Sequence, residues 1–443
     1  MPARLSFPDG FLWGVSVSSH QVEGGNVNSW SRWEEQGHVH PGEHAGRACD
    51  WWANAERDLD LAKELGLGAL RFSIEWSRVE PRPGEWDEGA LRRYRQICEG
   101  IRERGMEPWI CLHHFSNPLW FEDAGAFLAR DADARFAAYA ARVVDALGDV
   151  CDRWLTFNEP NVYVAQGYLR GEFPPGRSGD VLGMMRATAA MARGHARAYR
   201  HIHGRVPGAQ VGWAHHEIVF DPARPGHPLD RRVARLQDLF FNDPFPDVVR
   251  TGRLRGGPRA VVGDVAEARD TFDLYGLNLY GRLLVRFDPR RPVELFGAHE
   301  DPGEAPRGAS ELDGSPVGDA YPAGLGRVID KRSALGRPIY VTEHGVADAA
   351  DRIRPWLLTH AVRHVHDAIA RGRDVRGFFH WTLTDNFEWT WGWKKRFGLV
   401  ALDVATQERT PRPSARYYAA IARANALTAE MVREHAPGEL EAG

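Results

Sequence analysis

The chain has 443 residues, with 56 basic against 60 acidic side chains and a formal net charge of -4. That balance offers no broad positive field to neutralise a nucleic acid backbone, and no run reaches the roughly 18 to 20 apolar residues needed to cross a bilayer. Neither nucleic acid nor membrane is expected as a partner.

Four cysteines (Cys49, Cys98, Cys111, Cys151) are spread out with no C-x-x-C pair, and they read as buried thiols of a reducing compartment. The N-terminal stretch has one basic residue, a short apolar run and no small-residue cleavage site, which reads as a first strand and not a signal peptide. A soluble, cytoplasmic protein is expected.

Strand-like and helix-period runs alternate along nearly the whole chain. GFLWGVSVS (10–18) leads to AERDLDLAKELG (55–66), ALRFSIEW (69–76) to EGALRRYRQICEGIRERG (88–105), and MEPWICLHHF (106–115) to DARFAAYAARVVDALG. CDRWLTFNEP (151–160) precedes LGMMRATAAMARGHARAYRHIHG, AQVGWAHHEIVF (209–220) precedes RRVARLQDLFF, and TFDLYGLNLYG (271–281) precedes a longer insertion. PIYVTEHG (338–345) and VRGFFHWTLTD (375–385) are each followed by a further helical run.

Parallel neighbours need a crossover, usually helical, so this alternation predicts β/α units. Eight such units close a (β/α)8 barrel of the α/β class. An open doubly wound sheet is the rival, but no G-x-G-x-x-G turn follows the first strand. One barrel domain over residues 1–443 is expected, with a large loop insertion at about 282–337 on its mouth.

Active sites of such barrels form at the C-terminal strand ends. Those ends carry Gln21 and Glu23, Arg71 and Glu75, His113 and His114, Asn158 and Glu159, His215 and His216, Asn278 and Tyr280, Glu343 and His344, and Trp381 and Asp385. Pro160 disfavours an α-conformation in the residue before it, so Glu159 is expected to be extended. Glu159 on strand four and Glu343 on strand seven then face each other across the mouth.

Two opposed carboxylates suit glycoside cleavage, in which one protonates the leaving oxygen while the other attacks the sugar or activates water. The stretch TLTDNFEWTWGWKKRFG (382–398) supplies aromatic faces on which a pyranose can stack. The bland alternative for Phe387 and Trp391 is that they seal a core edge. The His113–His114 and His215–His216 pairs and the His360, His364, His366 group raise a metal-dependent hydrolase as a rival, but the last group lies on a helix rich in Arg and Ala and reads as a solvated face. No metal and no cofactor are expected.

Seven segments together resemble the family 1 glycoside hydrolases, the β-glucosidase and β-galactosidase group. They are FLWGVSVSSHQVEG (11–24), RFSIEWSRVEP (71–81), HHFSNPLW (113–120), TFNEP (156–160), YGLNLYG (275–281), YVTEHG (340–345) and WTLTDNFEWTWGWKKRFGL (381–399), in the family's order from end to end. The resemblance implies a (β/α)8 barrel that hydrolyses terminal β-D-glycosides with retention, acting on a small glycoside or oligosaccharide. A β-glucoside is the first expectation, with β-galactoside and β-fucoside next.

It also implies Glu159 as general acid/base and Glu343 as nucleophile, with Arg71 and Tyr280 favouring the charged form of Glu343. Gln21, His114, Asn158, Glu388 and Trp389 map onto hydroxyl-binding positions, Asn158 holding the 2-hydroxyl and Trp381 forming the stacking floor. Asn278 joins the substrate-binding candidates. A cis peptide is implied between Trp381 and Thr382. The carboxylate of Glu388 implies an unphosphorylated sugar, because an anion there would repel phosphate.

The chain departs from the family at His344, where Asn is usual, which implies either altered loop support or a group titrating near neutral pH. Trp393 is larger than the aromatic more often found there. A transglycosylase with the same intermediate and a non-catalytic sugar-binding barrel are the alternatives. The sequence carries no signature of oligomeric state.

Overall fold

The computed structural model describes residues 3–40, 42–255, 261–300 and 319–437. Short runs rich in Val, Ile, Leu and aromatic residues form eight strands: β1 (Leu12–Ser16), β2 (Ala69–Ser73), β3 (Glu107–Cys111), β4 (Arg153–Asn158), β5 (Gln210–Pro222), β6 (Tyr275–Phe287), β7 (Ile339–His344) and β8 (Val375–Trp381). Each pairs in parallel with the next, and β8 pairs with β1 from Gly377↔Leu12 to Trp381↔Ser16, which closes the ring.

The outer layer comprises α1 (Trp51–Glu64), α2 (Glu88–Glu103), α3 (Ala132–Leu147), α4 (Val181–Arg205), α5 (Pro228–Phe241), α6 (Ala323–Arg332), α7 (Arg354–Ala370) and α8 (Pro413–Ala424). In α2, Leu91, Tyr94, Ile97, Cys98 and Ile101 recur at helical spacing and are buried, so one stripe packs inward. The helix starts where the Asp87 carboxylate accepts the Ala90 N–H at 2.9 Å, satisfying a donor that has no partner within the helix.

The barrel interior is plugged by large rings. Trp109 lies 4.7 Å from Tyr340 and 5.2 Å from Phe379, centroid to centroid. The three fit because neighbouring strands carry glycine. A Cβ on Gly14 would come within 2.6 Å of the Phe379 ring, and one on Gly377 within 2.8 Å of Tyr340. Large and small residues thus share one layer, and the chemistry is left to the strand ends above it. All four cysteines are buried free thiols.

The expected loop at 282–337 is largely regular structure where it is described. β6 runs on to Phe287 and stays paired with β5, through Phe220↔Leu283 to Pro222↔Val285. Gly297–Glu300 folds back on Leu284–Phe287, and α6 provides the crossover to β7. The polar and proline-rich composition hid a strand extension carried by Leu283, Leu284 and Val285. Residues 301–318 of that expected loop lie outside the described residues.

Candidate active site

The chain turns from β4 into the short helix Pro160–Val164 within one residue, Glu159. Its backbone is left-handed, φ 45 and ψ 58, not extended as the proline rule suggested. Pro160 excludes the right-handed conformation before it. The extended form is excluded by two bonds: the Glu159 N–H donates to Ala214 O at 2.7 Å, and its carbonyl accepts the Tyr163 N–H at 3.0 Å. Holding a non-glycine residue there costs about 1–3 kcal/mol, which the surrounding structure must offset.

Glu343 closes β7. Its Oε1 accepts from the Arg71 guanidinium, and its Oε2 accepts the Tyr280 hydroxyl at 2.7 Å. The other terminal nitrogen of Arg71 donates to Asn158 Oδ1 at 2.6 Å. Asn278 Nδ2 then donates both to Asn158 Oδ1 (3.0 Å) and to Glu159 Oε1 (2.9 Å), while the Thr342 hydroxyl donates to Asn278 Oδ1 at 2.7 Å and so fixes that amide. One continuous chain of hydrogen bonds joins the two carboxylates.

Asn158 Nδ2 lies 3.0 Å from His114 Nε2. The His114 ring stacks between Trp381 (5.9 Å) and Trp389 (5.8 Å). Gln21 Nε2 donates to Glu388 Oε2 at 3.2 Å and to Phe387 O at 2.8 Å. Glu159, Glu343, Asn158, His114, Tyr280, Glu388, Trp381 and Trp389 line one cavity of about 520 Å3. Arg71, Gln21 and Asn278, each fully buried, stand behind that lining. The Trp381–Thr382 peptide bond is cis.

Burial has the largest influence on the charges. It pushes the Glu343 carboxyl up to about 7, against the pull of Arg71 and with a further push from the neighbouring carboxyl group of Glu159. The expectation that Arg71 and Tyr280 would favour the ionised form holds for those two contacts, but desolvation outweighs them. Glu388 is raised to about 8 by burial and then by Glu343. Desolvation thus favours its neutral form. Tyr280 stays a hydroxyl, held well above its ordinary value by burial and by Glu343. Burial, and then Arg71, keep His114 neutral.

His344 points away from the cavity. Its Nδ1 meets Leu279 O, and burial lowers it to about 4, so it is no near-neutral titrating group. Trp393 and Phe387 also stand outside the lining, whereas Trp391 belongs to it. Trp393 is held by its indole N–H to His44 O at 3.1 Å.

Three more strand-end acids serve the fold. Glu23 accepts from Tyr94 (2.7 Å) and Arg78 (2.9 Å), Glu75 from Ser77 and Ser116 (both 2.8 Å), and Asp385 from both terminal nitrogens of Arg412 (2.9 and 2.8 Å). His113 and His215 are tied to Asn117 and to Asn242 O. Among the described residues no three His, Cys, Asp or Glu side chains converge as a ligand set.

Sequence reasoning passed over His216 as a site residue. Its Nδ1 lies 3.0 Å from Glu159 Oε1, and its ring stacks on Tyr280 at 5.8 Å. The signal was present: alternation along β5 puts His215 and His216 on opposite faces, so only one of the pair can reach the mouth.

The glycosyl hydrolase family 1 model matches residues 3–427. The chain is 34% identical over 452 residues to thermostable beta-glucosidase B of Thermobispora bispora, covering 96% of this chain and 92% of that protein. It is 31% identical over 487 residues to a beta-galactosidase of Pyrococcus woesei, covering 92% and 94%. Among solved structures, the beta-glycosidase from Pyrococcus horikoshii superposes with a TM-score of 0.88 at 35% identity, covering 98% of both chains. A match spanning the barrel, together with relatives aligned nearly end to end, makes this chain a member of glycosyl hydrolase family 1.

Proposed function

We propose that the protein is a retaining β-glycosidase, acting on terminal β-D-glucosyl residues first and on galactosyl or fucosyl residues next, as a single cytoplasmic barrel domain. The observation that carries this reading is the hydrogen-bonded chain Glu343–Arg71–Asn158–Asn278–Glu159, which runs in and behind one cavity wall. It gives two carboxylates different surroundings at one site, as double displacement requires.

In this reading Glu343, held by Arg71 and Tyr280, attacks the anomeric carbon, while Glu159 gives its proton to the departing oxygen. The C–O bond to the leaving group breaks as the ester to Glu343 forms. With Glu343 esterified, the negative charge facing Glu159 is gone. Glu159 then takes a proton from water, whose oxygen displaces Glu343. Water is the only co-reactant.

Asn158, oriented by Arg71 and Asn278, is suited to hold the 2-hydroxyl, where a contact strengthens in the transition state. Trp381 forms the sugar's floor, and Gln21, His114, Glu388 and Trp389 surround its remaining hydroxyls. The relatives named beta-glucosidase and beta-galactosidase are consistent with this range of sugars.

A 2-deoxy-2-fluoro-β-glucoside with a good leaving group should form a stable adduct. Peptide mapping should find it on Glu343. A label on any other residue removes the assignment.

A further inference from the structure

Two nitrogens crowd one oxygen of Glu159. Asn278 Nδ2 donates to Oε1 at 2.9 Å, and His216 Nδ1 lies 3.0 Å from the same atom. They come from paired positions of neighbouring strands, His216 of β5 opposite Asn278 of β6. The carbonyl of Ala214, also on β5, takes the Glu159 N–H. One strand thus holds both the backbone of the acid and a partner of its side chain.

Neither nitrogen is free to turn away. Thr342 donates to Asn278 Oδ1 at 2.7 Å, so the Asn278 amide presents its NH2 group, one hydrogen going to Asn158 Oδ1 and the other to Glu159 Oε1. The buried His216 ring stacks on Tyr280 at 5.8 Å and meets Phe241 edge to face at 5.9 Å. Its backbone carbonyl accepts from Asn161 Nδ2 at 2.8 Å. Turning the ring over would set a carbon against Oε1.

A carboxyl oxygen accepts at two lone-pair sites. With Asn278 on one and a His216 Nδ1–H on the other, Oε1 has no place for a further hydrogen, and the proton of the acid is left to Oε2. Among the described residues Oε2 has no hydrogen-bond partner, and Glu159 lines the cavity. Oε2 is therefore the oxygen open to a leaving group. The other tautomer of His216 would reverse the outcome: a bare Nδ1 draws the proton onto Oε1, between two side chains and away from the substrate.

We infer that His216 is a positioning residue for proton transfer: its Nδ1–H, together with Asn278, confines the proton of Glu159 to Oε2. The inference rests on the glycosidase reading above and adds a residue to it. As the C–O bond breaks and the ester to Glu343 forms, the Oε2 proton passes to the departing oxygen. In the second step Oε2 takes a proton from the water whose oxygen displaces Glu343. His216 gives up no proton in either step. Its bond to Oε1 tightens while Glu159 is an anion, because hydrogen bonds to charged groups are the stronger kind.

The test is kcat/KM for methyl, phenyl and dinitrophenyl β-D-glucosides in His216→Phe and His216→Asn. Phe keeps a ring against Tyr280 and Phe241 and removes the donor, whereas Asn carries an amide nitrogen where histidine has Nδ1. Dinitrophenolate departs with little help from an acid, but methoxide and phenoxide need the proton. His216→Phe should therefore lower kcat/KM about ten- to a hundredfold for the methyl and phenyl glucosides and about threefold or less for the dinitrophenyl glucoside. His216→Asn should restore most of that loss. In the unaltered protein, nitrogen NMR of isotope-labelled histidine should show the proton on Nδ1, the His216 signal being assigned by its disappearance in His216→Asn.

An equal fall for all three substrates, or no fall, makes His216 a packing residue and overturns the inference. So does a bare Nδ1 in the unaltered protein, a result that does not depend on the folding of His216→Phe, or a folded His216→Asn as defective as His216→Phe. Each of these leaves the glycosidase reading in place. Failure of the unaltered protein to cleave even dinitrophenyl β-glucoside removes both.

Discussion

Replacing Tyr280 by Phe deletes one hydroxyl and keeps the ring, which packs on His216 and Phe397, so the fold should survive. What is lost is the 2.7 Å bond to Glu343 Oε2. A hydrogen bond to a buried carboxylate contributes about 1.5–3 kcal/mol, and about 1.4 kcal/mol corresponds to one pKa unit. Because the bond stabilises the ionised form, its loss should raise Glu343 from about 7 by about one to two units.

In the proposed double displacement Glu343 attacks as the anion, so kcat/KM should rise with pH through its pKa. The acid limb of the Tyr280→Phe profile should therefore move to higher pH by that amount, and activity near pH 7 should fall about five- to fiftyfold. The assay is kcat/KM for p-nitrophenyl β-glucoside across the neutral range, with circular dichroism to check folding. A folded variant with reduced rate but an unmoved limb would mean that Tyr280 does not act through the charge of Glu343.

Glu388→Gln should stabilise the protein, and more so in alkali. The folded-state pKa, about 8, lies above the ordinary 4.5, so between those values the folded chain keeps a proton that the unfolded chain releases, and stability falls as pH rises through the window. The gain in the variant should be on the order of 2–4 kcal/mol near the top of the window and small at its bottom. Equal melting-temperature shifts at both ends would contradict the argument. His344→Asn should leave both limbs of the pH–activity profile where they are, because a histidine lowered to about 4 is neutral throughout the working range. A displaced limb in that variant would show that His344 titrates with the reaction.

The barrel was legible because its signal is periodic and repeated: eight apolar runs with polar ends, each followed by a helical stripe, leave few alternatives. Glu159 and Glu343 were legible for the same reason, each being an acid at the end of an otherwise buried strand. Arg71 and Asn158 could be placed at strand ends, but their mutual bond could not be read, because it depends on rotamers set by neighbours far off in sequence.

The left-handed turn at Glu159 was missed because the proline rule is local, while the deciding bond comes from Ala214 on another strand. The downward shift of His344 and the upward shift of Glu388 could not be read in advance, because desolvation is a property of the packed interior and sequence alone does not show how dry a position is. The paired continuation of β6 beyond residue 281 escaped notice because it lay inside a stretch whose composition resembled a loop.

Arg71 bridges Glu343 and Asn158 from a position with no contact with solvent. Replacement at any one of these three positions alters the setting of the other two, so their effects should be strongly non-additive. Evolutionary drift away from sugar cleavage would need several concerted changes here. Apolar lining residues such as Val162, Phe241 and Leu283 take no part in that chain of bonds, so a change at one of them leaves the setting of the carboxylates intact.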